Sequence, residues 1–129
     1  MARLLKQANA KRLGLPGRVS LEPVSGDIGS RVTFRIAQIP PAKPGDPPRG
    51  PHLHDGFEEC IYVLSGRGVT VAESGEIPIA PGDIVLIPPN EMHMTRNTGE
   101  ETLVLLCFFA APDVTARTTE FKSFLKAEF

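Results

Sequence analysis

The chain has 129 residues, 41% of them hydrophobic, and a formal net charge of −1, which excludes several classes of protein. This length predicts one domain that buries roughly two thirds of its unfolded surface. There is no basic excess to attract a phosphate backbone, so nucleic acid is not expected as a partner. The longest apolar run, Leu103 to Ala111, has the size of a strand, so membrane association is not expected either.

Residues 1–30 are expected to form an arm before the main domain. Met1 to Leu13 carries four basic residues and no acidic one, and it lacks the apolar run of a secretory signal. We interpret this stretch as a solvated arm, with organelle targeting as the less favoured alternative. After the helix-breaking Leu15-Pro16-Gly17, Val19 to Leu21 can form a short edge strand.

The two cysteines are expected to be free. Cys60 and Cys107 both lie inside apolar runs, where a thiol behaves as a small hydrophobic group. No disulfide is required, so a reducing cytoplasm is the expected location.

Residues 31–110 read as an all-β domain. Val32, Phe34 and Ile36 alternate with polar or small residues, which predicts a strand that buries these three side chains. Arg35 is then expected on the opposite face. Further short strands, separated by turns, are predicted near residues 60–64, 69–73, 77–79, 84–87, 93–97 and 103–109. Strands at this close spacing indicate a sandwich or a small barrel.

Between Pro40 and Pro51 there are six prolines and two glycines, a composition that excludes a helix or a central strand. We expect an extended surface connection that protects a sheet edge. The alternative is a stiff lip at the mouth of a site, because the connection leads directly into His52.

Residues 111–129 change period. Four apolar residues fall at helical spacing behind Thr118-Thr119-Glu120, which resembles a cap followed by an acidic first turn. They are Phe121, Phe124, Leu125 and Phe129. The pattern predicts a short C-terminal helical segment packed on the barrel.

All three histidines of the chain lie close to carboxylates. His52 and His54 are one residue apart, so in an extended segment their side chains point the same way. Glu58 and Glu59 follow after a turn, and His93 follows a Pro-Pro-Asn-Glu turn. Imidazole and carboxylate groups on rigid strands suit a divalent first-row metal with open coordination positions. The alternative is a metal-free barrel in which these side chains are only hydrogen-bonded.

The spacing of these residues resembles the two motifs of the cupin superfamily. The first motif, Gly-x5-His-x-His-x3 or 4-Glu-x6-Gly, is matched by His52, His54, Glu59 and Gly66, although Gly50 and Gly45 both miss the position of its opening glycine. The second, Gly-x5-Pro-x-Gly-x2-His-x3-Asn, is matched by Gly82, Pro88, His93 and Asn97. Asn90 stands where the family has glycine, and asparagine tolerates the left-handed conformation.

This resemblance implies a double-stranded β-helix, the cupin or jelly-roll barrel, and a homodimer. It also implies that His52, His54, Glu59 and His93 bind a divalent transition metal, which the ligand set leaves open among iron, manganese, nickel and zinc. The count of six residues to Gly66 favours Glu59 over Glu58. Asn97 is expected to be structural.

Two functions are compatible with such a site. The first is a metal-dependent enzyme that acts on a small organic molecule as a dioxygenase, isomerase or decarboxylase. The second is a non-catalytic binding or sensing module, and a vestigial site is a third reading. No separate general acid or base can be named. Four further side chains are candidates to bind a substrate carboxylate: Arg35, Arg67, Arg96 and Tyr62. Of these, Arg96 has the opposite strand parity to His93, which favours a position outside the barrel.

Overall fold

The computed structural model describes residues 1–47 and 49–124, and almost all regular structure in these ranges is β-strand. Three short 3-10 helices, Gln7–Asn9, Gly26–Ile28 and Thr115–Arg117, are the only helical elements there. The strands in chain order are β1 (Lys11–Leu13), β2 (Val19–Val24), β3 (Thr33–Ile39), β4 (His52–His54), β5 (Glu59–Ser65), β6 (Gly68–Ala72), β7 (Gly75–Ile79), β8 (Ile84–Ile87), β9 (His93–Asn97), β10 (Leu103–Phe109) and β11 (Thr118–Glu120).

These strands form two antiparallel sheets, in the orders β1-β2-β3-β10-β5-β8 and β11-β4-β9-β6-β7. Residues that point between the sheets build one apolar core, in which Val63 of β5 and Leu103 of β10 are completely buried. The prediction of an all-β jelly-roll barrel is therefore confirmed. No helix of the described residues is long and apolar enough to cross a bilayer.

Strand β3 buries the face opposite to the one predicted. Val32, just before the strand, is 50% exposed, and Phe34 packs on Phe108 of β10 with their ring centroids 4.8 Å apart. Arg35 instead points into the barrel and is 9% exposed. Its charge is tolerated there because Glu22 of β2 accepts a hydrogen bond from Arg35 Nε at 2.7 Å, which compensates the cost of burying a lone cation.

The outer side of the six-stranded sheet is consequently apolar. Six side chains contribute, and we call this set the outer apolar face: Phe34, Tyr62, Leu64, Ile84, Leu86 and Phe108. Leu64, Ile84 and Leu86 are each more than half exposed. Large apolar groups exposed together on one surface are typical of an interaction site.

Both ends of the chain add strands to the sheets. The arm contributes β1 and β2, which pair with each other and with β3, while the boundaries at residues 30 and 110 stay a prediction. Thr118–Glu120 pairs with β4 as an edge strand, so the prediction that these residues begin a helix is wrong. Leu125 and Phe129, on which the rest of that helix depends, lie outside the described residues.

Candidate metal centre

Four side chains from both sheets meet inside the barrel. His52 and His54 lie on β4, and His93 of β9 is the register partner of His52, so the three rings share one face of the five-stranded sheet. Glu59 reaches the same point from β5 in the facing sheet. One ligand atom from each of the four lies within 4.8 Å of the others.

The carboxylate of Glu59 is the centre of this cluster. Its Oε1 lies 2.9 Å from His93 Nε2 and 3.2 Å from His54 Nε2. Glu59, His54 and His93 are each 5% exposed or less, while His52 is partly exposed. Glu58, the neighbouring carboxylate, is exposed.

The tautomer of His54 and His93 follows from their outer hydrogen bonds. His93 Nδ1 donates to the carbonyl oxygen of Glu91 at 2.8 Å. Thr118 donates its hydroxyl proton to the carbonyl oxygen of Val114 at 2.6 Å, so its own oxygen accepts from His54 Nδ1 at 3.0 Å. In a neutral imidazole with Nδ1 protonated, the lone pair is on Nε2.

Two Nε2 lone pairs and one carboxylate oxygen therefore face one another. This arrangement is repulsive unless a cation lies among them, either as protons on the rings or as a metal ion. Metal-bound histidines ordinarily donate their other ring N–H to an oxygen in the same way. The donor set thus fits a divalent transition metal.

The pKa values of Glu59, His93 and His52 reflect a competition between burial and neighbouring charges. Burial would raise the pKa of Glu59, but hydrogen bonds from His54 and His93 outweigh it and hold that pKa well below its usual range. Burial opposes protonation of His93, yet contact with the Glu59 carboxylate raises its pKa. The pKa of His52 is lowered well below its usual value, first by burial and then by the nearby His93.

The cluster opens into a cavity of about 60 Å³. That volume has room for a few water molecules, and the cavity is partly open to solvent, so a small ligand can enter it. The wall outside the four-residue cluster is apolar with several polar groups: Leu15, Arg18, Ser20, Arg35, Ala37, Ile39, Arg49, Ile61, Thr95, Leu105, Cys107 and Phe109.

Of the four predicted clamp candidates, only Arg35 lines this cavity, on the side that the sequence pattern did not predict. Tyr62 belongs to the outer apolar face. Arg96 is exposed, with its Nη2 3.5 Å from Glu76 Oε1, and Arg67 lies in the turn between β5 and β6. Arg67 does not reach the cavity.

Sequence reasoning missed other residues of the wall. Leu15 and Arg18 come from the arm, and Arg49 comes from the proline-rich connection that leads into β4. The position of Arg49 favours the reading of that connection as a lip. Cys107 of β10, which the sequence pattern predicts only as a core residue, also lines the cavity, and burial raises the pKa of its thiol. The one sequence signal for these wall residues is the position of Arg49, a charged residue three positions before His52.

Two asparagines support the cluster from its edges. Asn90 has a φ of 67°; its side chain accepts a hydrogen bond from the Gly56 amide, and its backbone amide donates to the carbonyl oxygen of His54. Asn97 donates its side-chain amide to the carbonyl oxygens of Ile39 and Glu101. Both residues fasten loops next to strands that carry the histidines.

Residues 39–109 match the family model described as the cupin domain. The chain belongs to the cupin family. The match contains β4, β5 and β9, and therefore all four side chains of the cluster. The resemblance of the motif spacing to this family is confirmed.

Two curated relatives illustrate the range of the family. An oxalate-binding protein from Thermotoga maritima is 37% identical over 57 residues, 44% of this chain and 47% of that protein. A 3-hydroxyanthranilate 3,4-dioxygenase from Jannaschia sp. is 28% identical over 102 residues, 75% of this chain and 57% of that protein. The matches thus span about half the length of these relatives.

Solved structures are similar as well. A protein from Acidithiobacillus ferrooxidans, assigned as a sugar phosphate isomerase, is 36% identical with a TM-score of 0.60, covering 78% of this chain and 67% of its own. A predicted oxalate decarboxylase from Thermotoga maritima has a TM-score of 0.69 at 21% identity, covering 84% of this chain and 99% of its own. The second likeness concerns the fold alone.

Metal affinity should decrease as the pH is lowered, because the proton on His93 must leave before its Nε2 can bind a metal. His52, with its lowered pKa, and Glu59, already ionised, release none near neutral pH. We expect the association constant for Mn²⁺ or Zn²⁺ to drop by up to about tenfold per pH unit below the raised pKa of His93. Calorimetry from about pH 8 to about pH 5.5, in buffers of different ionisation enthalpy, measures both affinity and proton release.

The exposed Glu58 provides the control, because Glu58→Gln should keep the pH dependence of the wild type. An affinity that stays constant over this range, with no proton released, would contradict the role given to His93.

Proposed function

We propose that this protein is a metal-dependent cupin enzyme that acts on a small organic molecule, with His52, His54, Glu59 and His93 as the metal ligands. One observation carries the proposal: two imidazole Nε2 atoms, each fixed by a hydrogen bond at Nδ1, converge on one buried carboxylate oxygen beside a cavity. A structural site closed by protein ligands has no need of a cavity at the metal.

The reaction is of the dioxygenase, isomerase or decarboxylase type. A bound divalent metal supplies Lewis acidity to a substrate oxygen, and iron or manganese also supplies redox chemistry. The protein side chains orient the substrate and exclude water. Apart from the four ligands, the ionisable groups of the cavity wall are Arg18, Arg35, Arg49 and Cys107. None of these is an ordinary general base at neutral pH.

The same wall favours one second candidate, a module that binds a small molecule without turnover. The 37% identity to an oxalate-binding protein supports this alternative. The two candidates share the metal ligands and differ only in whether a bound molecule is converted.

The ligand assignment predicts loss of metal when ligands are removed. Protein purified without added metal and then loaded with iron, manganese, nickel or zinc should bind about one ion per chain. Glu59→Gln and the double variant His52→Ala, His54→Ala should lose most of it, because neighbouring donors cannot replace an inward-facing ligand. Metal analysis after dialysis measures this, and Glu58→Gln, one residue away and exposed, is the matched control.

Equal metal content in the wild type and the double variant would contradict the assignment. Loaded protein should then be assayed for oxygen uptake and product formation against diphenols, diketones, sugar phosphates and small carboxylates. Conversion that Glu59→Gln abolishes supports the enzyme. Tight binding without conversion across the panel supports the binding module.

We further propose that two copies of the chain pair through the outer apolar face. Its six side chains lie on four neighbouring strands, β3, β10, β5 and β8. Strands about 4.8 Å apart and about 20 Å long then give on the order of 400 Å², about half of the ~800 Å² per partner of a standard interface. A two-fold axis lets one apolar face cover its own copy.

The two free thiols are compatible with a reducing compartment, and we propose the cytoplasm.

A charge placed on this face should separate the copies. Phe108→Lys should convert a dimer to a monomer at micromolar concentration, because burying a lysine without a counter-charge is costly. Sedimentation velocity gives the mass. Ile77→Lys on β7 is the control, since Ile77 is 45% exposed and Phe108 49% exposed, yet Ile77 lies in the other sheet. A wild type that is monomeric at this concentration would contradict the proposal.

A further inference from the structure

We propose that Arg18 and Arg49 together bind a carboxylate of the ligand, so that the cavity selects a small organic acid whose remaining oxygen donors reach the metal centre. The inference deepens the proposed function and rests on it for the position of the metal. It assigns a role to two segments, the arm and the proline-rich connection, that lie outside the metal-binding strands.

Both arginines line the cavity that contains His52. Arg49 Nη2 donates to the carbonyl oxygen of Thr95 at 2.7 Å, and Arg18 Nη1 donates to that of Pro16 at 2.9 Å. A guanidinium group has five N–H donors. Each of these two therefore keeps most of its donors without a partner among the described residues.

Neither arginine has a counter-charge within 4 Å in the described part of the chain, in contrast to Arg35, which Glu22 neutralises at 2.7 Å. Burial lowers the pKa of both guanidinium groups, and the charge of Arg18 lowers that of Arg49 further. Glu120 of β11 attracts both, but only from a longer distance. Two neighbouring, half-buried cations with free donors are well suited to an oxyanion, which arginine binds in bidentate fashion.

The arm also provides the space that Arg49 occupies. Gly17 has a φ of +71°, and a Cβ atom built on it would lie 2.5 Å from Arg49 Cδ and 3.5 Å from Arg49 Nη1. A Cβ atom at this position would make the Arg49 side chain shift, so the absence of a side chain at Gly17 leaves the room in which Arg49 packs over the arm next to Arg18.

The cavity size limits the ligand further. A cavity of about 60 Å³ that is partly open to solvent suits a small acid such as malonate, part of which can lie at the mouth. When one carboxylate of the acid binds the arginine pair, the other oxygen atoms of the acid lie on the side of His52. Inorganic phosphate is also an oxyanion but lacks a second functional group at a distance, so binding of phosphate and binding of a carboxylic acid can be separated by experiment.

Calorimetry with three probes tests the inference: malonate, its neutral amide malonamide, and inorganic phosphate. Manganese-loaded wild type should bind malonate at least about tenfold more tightly than malonamide. Arg18→Gln and Arg49→Gln should each weaken malonate about tenfold or more and leave malonamide within about twofold. Arg96→Gln, which removes an exposed arginine outside the cavity, should change neither. Phosphate binding more tightly than malonate would overturn the selection of a carboxylate.

A glycine pair gives a second, independent variant. Gly17→Ala should weaken malonate binding in the same direction as Arg49→Gln and by a smaller factor, because the methyl group makes the Arg49 side chain shift. Gly29→Ala is the matched control: Gly29 has a comparable φ of +83°, but a Cβ atom built on it would have no neighbour within 4 Å, so malonate affinity should stay at the wild-type level. Equal effects of the two alanine substitutions would contradict the placement of Arg49.

The same titrations on metal-free protein separate this inference from the proposed function. If the protein binds metal but malonate and malonamide bind with equal affinity, the arginine proposal is wrong and the proposed metal centre is unaffected. If the protein retains no metal yet still prefers malonate, the arginine pair stands and the metal centre fails.

Discussion

The position of one carboxylate constrains this structure more than any other interaction. Glu59 is buried between two sheets, where an isolated charge costs several kcal/mol, and two imidazole Nε2 atoms point at the same oxygen. The surrounding elements keep these atoms together. Strand β4 lies between β9 and β11, and Thr118 on β11 orients His54. The fold thus holds two nitrogen lone pairs and a carboxylate oxygen together, and only a cation, a proton or a metal ion, removes their mutual repulsion.

The sequence predicts much of this site, because its evidence is local. Side chains one residue apart on a strand share a face, which brings His52 and His54 together, and motif spacing adds Glu59 and His93. The orientation of β3 could not be predicted in the same way. Alternation defines two faces without saying which one is inside. Arg35 can be buried because Glu22, thirteen residues earlier, neutralises it and Thr115 accepts a second hydrogen bond from it. That pairing depends on the neighbouring strand.

The remaining differences have the same origin in long-range contacts. Thr118–Glu120 has the composition of a helix start, yet β4 needs a partner at its free edge and these residues supply it. Arg18 and Arg49 lie next to turn-forming and proline-rich stretches that have no periodicity, so no pattern placed them in the cavity. Cupin relatives carry the names of different activities, so in the proposed account the identity of the ligand depends on this wall.

The most direct test is anomalous X-ray diffraction from crystals of the metal-loaded protein, recorded at the absorption edge of the bound metal. We expect one strong peak per chain, about 2.0–2.3 Å from nitrogen atoms of His52, His54 and His93 and from an oxygen of Glu59. A peak coordinated by other residues, or crystals of loaded protein without a peak at this cluster, would contradict it.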